Sequence, residues 1–426
     1  MTWVLVVFFG LLFLGMPIGF VLGIAGVVGV LQAGGPDFLS MAPKRFFAGL
    51  NLFPFLAMPF FILAGEIMNH TGITRQLVRF AETLVGYLRG GLAHTNMVAS
   101  VFFAGITGAA TADAAAFGKT LVPAMVDQGY SRPFACAVTA AGSIIGPTIP
   151  PSSLMVIYGS IMGVSIGGLF ASGILPGLLI CLVCMAIIAA MARRLNLPKA
   201  ERQASLWEIL KAFRSSILAL IMPAIILGGI LGGIVTPTEA ASVAVAYALF
   251  VGGVIYRALT LRDLMAMLIR TARITGVIFL IIASASVLGW WLAFMQIPQA
   301  IANGFLDISS NPAVVILMIV AMLLVVGMLM DITAMLIILA PVLAPLTAAI
   351  GMDPLHAGIV FVLALNISLM TPPVGACLFV LSSVTGESIE RISAALWPFI
   401  LAEVTILFVI AYWPGLALML PRLFGF

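Results

Sequence analysis

Charged residues are scarce in this sequence: lysine, arginine, aspartate and glutamate together make up only 8% of its 426 residues. A soluble domain carries about 25% charged residues, so the composition excludes a water-soluble globule. It also excludes a disordered chain, because disorder goes with high charge and few branched apolar residues. The net charge of +4 comes from a few basic loops and gives no sign of a nucleic-acid partner.

Catalytic and redox motifs are also missing. The sequence contains no His-Glu-x-x-His and no Walker phosphate-binding loop. Of the four cysteines, Cys181 and Cys184 have a suggestive spacing, but no second pair or nearby histidine supports a metal or redox site. We therefore expect that the chain is not an enzyme and does not hydrolyse ATP.

Long apolar runs are abundant, since 63% of the residues are hydrophobic. A crossing needs about 20 apolar residues, so the chain has room for roughly ten. The run 133–192 contains no formal charge and must hold two of them. Connection 193–214 is basic and is assigned to the cytoplasm, which leaves Lys44 and Arg45 outside, in mild conflict with the same rule. The sequence predicts an all-α polytopic membrane protein in a lipid bilayer.

Two stretches resemble each other at an offset of about 220 residues. In each, an aspartate precedes a proline by ten positions, and a Pro-Pro pair follows an apolar run. The aspartates are Asp113 and Asp331, and the pairs are Pro150-Pro151 and Pro372-Pro373. If each aspartate lies in a hairpin, an odd number of crossings separates the two copies. We predict inverted repeats with two re-entrant helical hairpins and two discontinuous helices, an architecture of many secondary transporters.

The Pro-Pro pairs predict breaks in the helices, because proline lacks the backbone donor and restricts the residue before it. Unpaired backbone groups survive in a membrane only inside protein or beside a wet cavity. The freed carbonyls and nearby hydroxyls are hard oxygen ligands that suit a small cation. A kink that serves packing alone is the alternative, but two breaks at equivalent repeat positions favour a function.

Asp113 and Asp331 need a partner or a wet site, since a carboxylate is costly inside a membrane. Each could cap the second helix of its hairpin by accepting backbone N–H groups. Direct ion ligation or protonation is the other interpretation. Lys119 could counter Asp113, attract an anionic substrate or extend toward the membrane surface. Under each of these interpretations, the tip of the hairpin is expected to lie beside the binding site.

Four motifs together resemble the large membrane (permease) subunit of tripartite ATP-independent periplasmic (TRAP) transporters. They are 105–113 (GITGAATAD), 133–152, 233–241 (GIVTPTEAA) and 371–375 (TPPVG). The resemblance implies an elevator-type transporter of the ion transporter superfamily, coupled to sodium, in the bacterial inner membrane. It also implies a separate small four-helix membrane subunit and a periplasmic substrate-binding protein that delivers an organic acid.

The resemblance further implies two sodium sites, which would use backbone carbonyls for much of the ligation. The residues implied for the first are Gly105, Thr107, Gly142, Ser143, Gly146 and Thr148, and those for the second are Gly327, Asn366, Met370, Thr371 and Gly375. The second hairpin has Met-Leu-Met where the first has Ile-Thr-Gly, which departs from the pattern. The substrate is expected beside Pro150, Pro151, Ser152, Pro372 and Pro373.

These interpretations divide the chain into five parts. Residues 1–92 would form scaffold helices and a first interfacial arm near 40–50, and residues 93–165 the first hairpin and first broken helix of a transport unit. Residues 166–300 would form further scaffold, the cytoplasmic loop and a second arm at 259–273, which alternates apolar and charged residues. Residues 301–386 would complete the transport unit, and residues 387–426 would form a C-terminal helix.

The predicted function is sodium-coupled import of an organic anion such as a C4-dicarboxylate, a sialic acid or a sugar acid. One alternative is a symporter driven by protons or sodium that needs no binding protein. Two others come from different classes: a channel, and an intramembrane protease that uses Asp113 and Asp331. A channel would conduct far faster than a carrier, and the protease would need both aspartates on facing helices.

Overall fold

The computed structural model describes residues 2–199 and 202–426, apart from the side chains of residues 73, 74 and 107. The described residues form α-helices, two short 3-10 helices and one π-helical turn, and none of them lies in a strand. Eight segments of this part are long and apolar enough to cross a membrane. The predicted all-α polytopic class is confirmed.

The helices follow one another with short connections. The N-terminal part contains α1 (Thr2–Phe13), α2 (Ile18–Gly34), α3 (Met41–Leu50), α4 (Ala57–His70) and α5 (Ile73–Val85). The first repeat contains α6 (Gly91–Thr107), α7 (Ala110–Asp127), α8 (Arg132–Thr148) and α9 (Ser153–Met162). The middle part contains α10 (Ile166–Arg194), α11 (Leu206–Leu231), α12 (Pro237–Phe250), α13 (Leu261–Phe294) and α14 (Ile297–Ile308). The second repeat contains α15 (Pro312–Gly327), α16 (Ile332–Ala349), α17 (Pro354–Ser368) and α18 (Ala376–Thr385), and α19 (Ile389–Tyr412) and α20 (Pro414–Leu423) follow.

The two repeats share one order of elements. Helices α6 and α7 form a hairpin, and α8 and α9 are the halves of a broken helix. Helices α15 and α16, followed by α17 and α18, repeat this order. Five candidate spans lie between the hairpins, and this odd number supports the inverted orientation of the second copy. The two hairpins and two discontinuous helices predicted from the sequence are therefore present.

The repeats exchange contacts with each other. Helix α9 of the first broken helix packs against α16 of the second hairpin, and α18 of the second broken helix packs against α7 of the first hairpin. Helices α8 and α17 lie at the centre, where residues 134–148 and 356–368 are all buried. The core of the protein is therefore formed by the two broken helices and the hairpins around them.

The first break is shorter than the run of glycine, proline and hydroxyl residues at 142–152 indicates. Helix α8 continues to Thr148 with Pro147 inside it, and only residues 149–152 separate α8 from α9. Tight packing explains the difference, because a proline is tolerated in a membrane helix where neighbouring helices satisfy the freed backbone groups. In the second repeat, residues 369–375 separate α17 from α18. Both Pro-Pro peptide bonds are cis.

The segment predicted as the second interfacial arm is helical but is not a separate helix, and its position along the interface stays a prediction. Residues 261–273 form the first part of α13, which is 34 residues and about 51 Å long. No glycine or proline occurs between Leu261 and Arg273 to end the helix. The segment predicted as the first arm forms the short helix α3, which follows α2 through a 3-10 turn at Gly35–Ser40, and its interfacial position also stays a prediction.

A capping box begins α12. The Thr236 side chain accepts a hydrogen bond from the Glu239 N–H (3.3 Å), and the Glu239 carboxylate accepts one from the Thr236 N–H (2.7 Å). The Thr-Pro-Thr-Glu sequence is typical of such a helix start, with proline at the first helical position.

Replacing Thr236 by alanine should lower the stability of the chain by about 0.5–2 kcal/mol, the usual loss for such a cap. Thermal unfolding in detergent measures the effect. Thr405→Ala is the matched control, because the Thr405 hydroxyl bonds only a carbonyl of its own helix, that of Leu401. Equal losses in the two variants would show that the cap contributes nothing specific.

Candidate substrate and ion site

A cavity of about 440 Å³ lies where the two repeats meet α4 and α13. One wall comes from the tips of both hairpins and from both helix breaks. Its residues are Gly108, Ala109, Ala110, Thr111, Ala112, Pro147, Ser153, Leu154, Ile157, Asp331, Ile332, Thr333, Leu369 and Ala376. We call this space the central cavity.

Four helices begin at the central cavity. Helices α7, α9, α16 and α18 start at Ala110, Ser153, Ile332 and Ala376, and all four residues line it. A helix N-terminus carries a partial positive charge and exposes backbone N–H groups, so it attracts an anion. No lysine or arginine lines the cavity among the residues that the structure describes. The arrangement can therefore bind a carboxylate without a basic side chain in the wall.

The opposite wall comes from α4 and α13. Its residues are Ile62, Gly65, Glu66, Asn69, Ile274 and Ile278. The Glu66 carboxylate forms an ion pair with Arg270 of α13, with 2.9 Å between Oε2 and the guanidinium nitrogen. Sequence reasoning missed this wall. The available signal was that Glu66 is the sole formal charge between Arg45 and Arg75.

The five residues predicted beside the substrate do not line the central cavity. Pro150, Pro151 and Ser152 are buried, whereas Pro372 is half-buried and Pro373 is exposed. Their chain neighbours supply the wall instead: Pro147 and Ser153 at the first break, and Leu369 and Ala376 at the second. The prolines therefore shape the breaks next to the cavity, and their contact with substrate stays a prediction.

The tip of the first hairpin packs closely against the first broken helix. Gly108 adopts the left-handed conformation (φ 58°), and a Cβ atom there would collide with the carbonyl oxygen of Pro151. Asp113 is fully buried, and a Cβ atom on Gly146 would collide with its Oδ2. The two segments are thus fitted to each other at positions where only glycine leaves enough room.

The capping prediction is correct for one aspartate and wrong for the other. Asp331 is the N-cap of α16, and its Oδ1 accepts hydrogen bonds from the Thr333 and Ala334 N–H groups at 3.0 Å each. In the first hairpin, Ala109 takes the N-cap position and Asp113 lies in the first turn of α7. The reason is local: the left-handed Gly108 lets α7 begin at Ala110, three residues before Asp113, which leaves the Asp113 side chain directed at α8.

The two predicted sodium sets are joined by a hydrogen bond. The Asn366 side-chain amide donates to the Thr148 hydroxyl (3.3 Å), which itself donates to the Ile144 carbonyl (2.8 Å). Thr371 donates to the carbonyl of Ile367 (2.8 Å). At the end of α15, Gly327 lies against the Ser368 hydroxyl. The structure therefore brings Thr148 of the first set into contact with Asn366 of the second.

The remaining members of the sets lie at different positions. Gly142 faces the side chains of Asn96 and Ser100 on α6, and Ser143 donates a hydrogen bond to the Ala140 carbonyl (2.7 Å). Met370 is buried, and Gly375 is the left-handed N-cap of α18.

Two members of the first set lie at the end of α6. A Cβ atom on Gly105 would collide with Pro223 of α11, so this face of Gly105 is directed at the scaffold. Thr107 is the last residue of α6, and its side chain lies outside the described part of the chain. The place of Gly105 and Thr107 in the first sodium set stays a prediction.

The chemistry of this region fits a small hard cation. The side-chain oxygens of Asn96 and Asn366 are buried and accept no hydrogen bond from the described residues. Both are neutral oxygen ligands of the type that such cations prefer. Sequence reasoning missed Asn96 and Ser100, which carry no charge, proline or glycine signal in an otherwise apolar helix.

Paired hairpins and paired broken helices around a central cavity define a membrane protein of the secondary-transporter class. Residues 5–416 match the family model of the tripartite ATP-independent periplasmic transporter, DctM component. The chain belongs to this family of transporter permeases, and the resemblance seen in the sequence is confirmed.

Relatives and one solved structure agree with this assignment. The sialic acid TRAP transporter large permease protein SiaM of Vibrio cholerae is 40% identical over 97% of both chains. The C4-dicarboxylate TRAP transporter large permease protein DctM of Pseudomonas aeruginosa is 36% identical over 95% of this chain and 94% of the relative. The crystal structure of the Alcanivorax borkumensis YdaH transporter, at 15% identity, has the same fold, with a TM-score of 0.58 and 90% of each chain covered.

Proposed function

We propose that this chain is the membrane subunit that carries out sodium-coupled import of an organic anion. The substrate is a carboxylate, delivered by a periplasmic binding protein, and a small four-helix membrane subunit completes the scaffold in the bacterial inner membrane. The two hairpins and two broken helices move together as an elevator against the remaining helices. Family membership supports the tripartite assembly, because the description of the family names a tripartite periplasmic transporter.

The observation that carries the proposal is the convergence of four helix N-termini on the central cavity. Their partial positive charges favour a carboxylate in the central cavity. The names of the two relatives support the same substrate class, since sialic acid and C4-dicarboxylates are both carboxylates.

Sodium coupling is supported by the oxygen ligands beside the cavity. Asn96 and Asn366 offer buried neutral oxygens, and Thr148 links the two breaks. A bound cation would hold the broken helices and hairpin tips in place, so that the N-termini present their N–H groups to the carboxylate. Asp113 would support the first hairpin through its contact with Gly146.

Transport in liposomes tests the proposal. The chain is reconstituted with its small subunit, and uptake of radiolabelled N-acetylneuraminate and of succinate is measured with and without the binding protein. We expect uptake to fall at least about tenfold when an inward sodium gradient is replaced by a proton gradient in sodium-free buffer, because the ligands are neutral oxygens.

Other outcomes are equally informative. Unchanged uptake in sodium-free buffer would contradict sodium coupling. Full transport by the chain without a binding protein would favour the self-sufficient symporter. Failure to transport any carboxylate under all conditions would contradict the substrate class.

A further inference from the structure

A second polar pocket adjoins the central cavity between α4 and α13. It encloses about 260 Å³ and is lined by Glu66, Asn69, His70, Asp263, Ala266, Met267 and Arg270. Glu66 and Asn69 line both spaces, so the pocket and the central cavity share a boundary. The first part of α13 also carries Arg262 and Arg273, and such basic segments lie on the cytoplasmic side. We call this pocket the cytoplasmic vestibule.

An ion pair stands at the boundary between the two spaces. Arg270 contacts the Glu66 carboxylate at 2.9 Å, and the exposed fractions of the two side chains are 62% and 25%. An ion pair with this exposure contributes little free energy because water screens it. Arg270 can therefore change partners at low cost while α4 and α13 stay in place.

Glu66 is unfavourable for an anionic substrate. A carboxylate that leaves the helix N-termini toward the vestibule must pass the Glu66 carboxylate, and like charges repel. Arg270 is the one arginine or lysine among the described residues that line the vestibule, and a guanidinium can bind a carboxylate through two parallel hydrogen bonds. The same arginine that neutralises Glu66 is thus suited to receive the substrate.

We propose that Arg270 is a substrate-contacting residue at the cytoplasmic mouth of the central cavity, and that it exchanges its partner Glu66 for the carboxylate of the passing substrate. The inference rests on the proposed function, because it requires an anionic cargo. Arg270 thereby contributes a basic side chain from α13 to a substrate site whose described lining residues include no lysine or arginine.

A different result is expected if the ion pair between Glu66 and Arg270 has only a structural role. If the pair only holds α4 against α13, removal of either partner breaks the same interaction and has the same effect. If Arg270 receives the substrate, loss of the arginine weakens substrate binding from the cytoplasmic side, whereas loss of Glu66 frees the arginine and removes a repulsive charge. The asymmetry between the two variants therefore separates the two roles.

The experiment is a counterflow assay with the complete transporter in liposomes of uniform orientation. The internal concentration of unlabelled substrate that gives half-maximal exchange is measured with N-acetylneuraminate or succinate, whichever the wild type transports. Arg270→Gln should raise this concentration about tenfold, as expected for the loss of a partner of a carboxylate. Glu66→Gln should lower it or leave it unchanged, and Arg270→Lys should fall between Arg270→Gln and the wild type.

Arg273→Gln is the matched control, since Arg273 is an exposed arginine three residues further along the same helix and lines neither space. It should leave the internal half-maximal concentration unchanged. Equal effects of Glu66→Gln and Arg270→Gln, or of Arg270→Gln and Arg273→Gln, would overturn the inference while wild-type transport upholds the proposed function. Absence of carboxylate transport by the wild type would instead overturn both.

Discussion

The Gly108→Ala variant should lose nearly all transport and still insert into the membrane. Gly108 has φ 58°, and a methyl group there would meet the Pro151 carbonyl oxygen at the point where the first hairpin touches the first break. The substitution combines backbone strain of about 1–2 kcal/mol with a collision that separates the two segments. Uptake of labelled carboxylate by the reconstituted transporter measures the loss, which we expect to exceed about twentyfold.

Gly163→Ala separates the collision from the strain. Gly163 ends α9 in the same left-handed conformation, with φ 66°, but no atom lies within 4 Å of the position of a Cβ atom. This variant carries similar strain without the contact, so it should keep most of its transport. If the two variants are equally impaired, the fit between hairpin tip and break has no special part in transport.

The second large effect is expected from Asn366→Leu. This change keeps the approximate volume but removes a buried oxygen that accepts no hydrogen bond from the described residues, and it also removes the hydrogen bond to Thr148. If the oxygen ligates sodium, the sodium concentration for half-maximal uptake should rise at least about tenfold, because neutral oxygens replace the water around the ion. Sodium titration of uptake is the measurement.

Two further variants help to show which lost interaction causes the effect of Asn366→Leu. Thr148→Val breaks the same hydrogen bond but leaves the Asn366 oxygen, so a much smaller shift is expected if that oxygen is the ligand. Thr347→Val removes a buried hydroxyl near the end of α16 that bonds only the Ala344 carbonyl, and it should leave sodium dependence unchanged. A shift in Thr148→Val as large as in Asn366→Leu would assign the effect to the Thr148 hydroxyl, as a ligand or as the link between the broken helices, and not to the Asn366 oxygen alone.

Much of the fold could be predicted because particular residue types mark the places where its helices break or turn back. The Pro-Pro pairs located both breaks, and the spacing of Asp113 and Asp331 located both hairpins. The extent of the first break could not be predicted, since burial lets α8 continue through Pro147. The amphipathic spacing at 259–273 indicates a helix, but it does not show that this helix continues into the next apolar run, as α13 does.

The site was less predictable because it depends on contacts between distant segments. The wall formed by Glu66 and Asn69 comes from a helix outside both repeats, and neither residue belongs to a motif. The role of Asp113 followed from the backbone of Gly108, which decides where α7 begins. The predicted five-part division of the chain stays a prediction, as does the number of sodium ions.

The exchanged packing of the repeats has a consequence for how such a protein could arise. Helix α9 rests on α16, and α18 rests on α7, so neither half of the polypeptide contains a complete core. A single copy of the repeat would leave α7 and α9 without the helices of the other copy that cover them. Duplication and fusion of the gene would then have made permanent an association that already existed, and each copy could afterwards diverge in sequence without losing its counterpart.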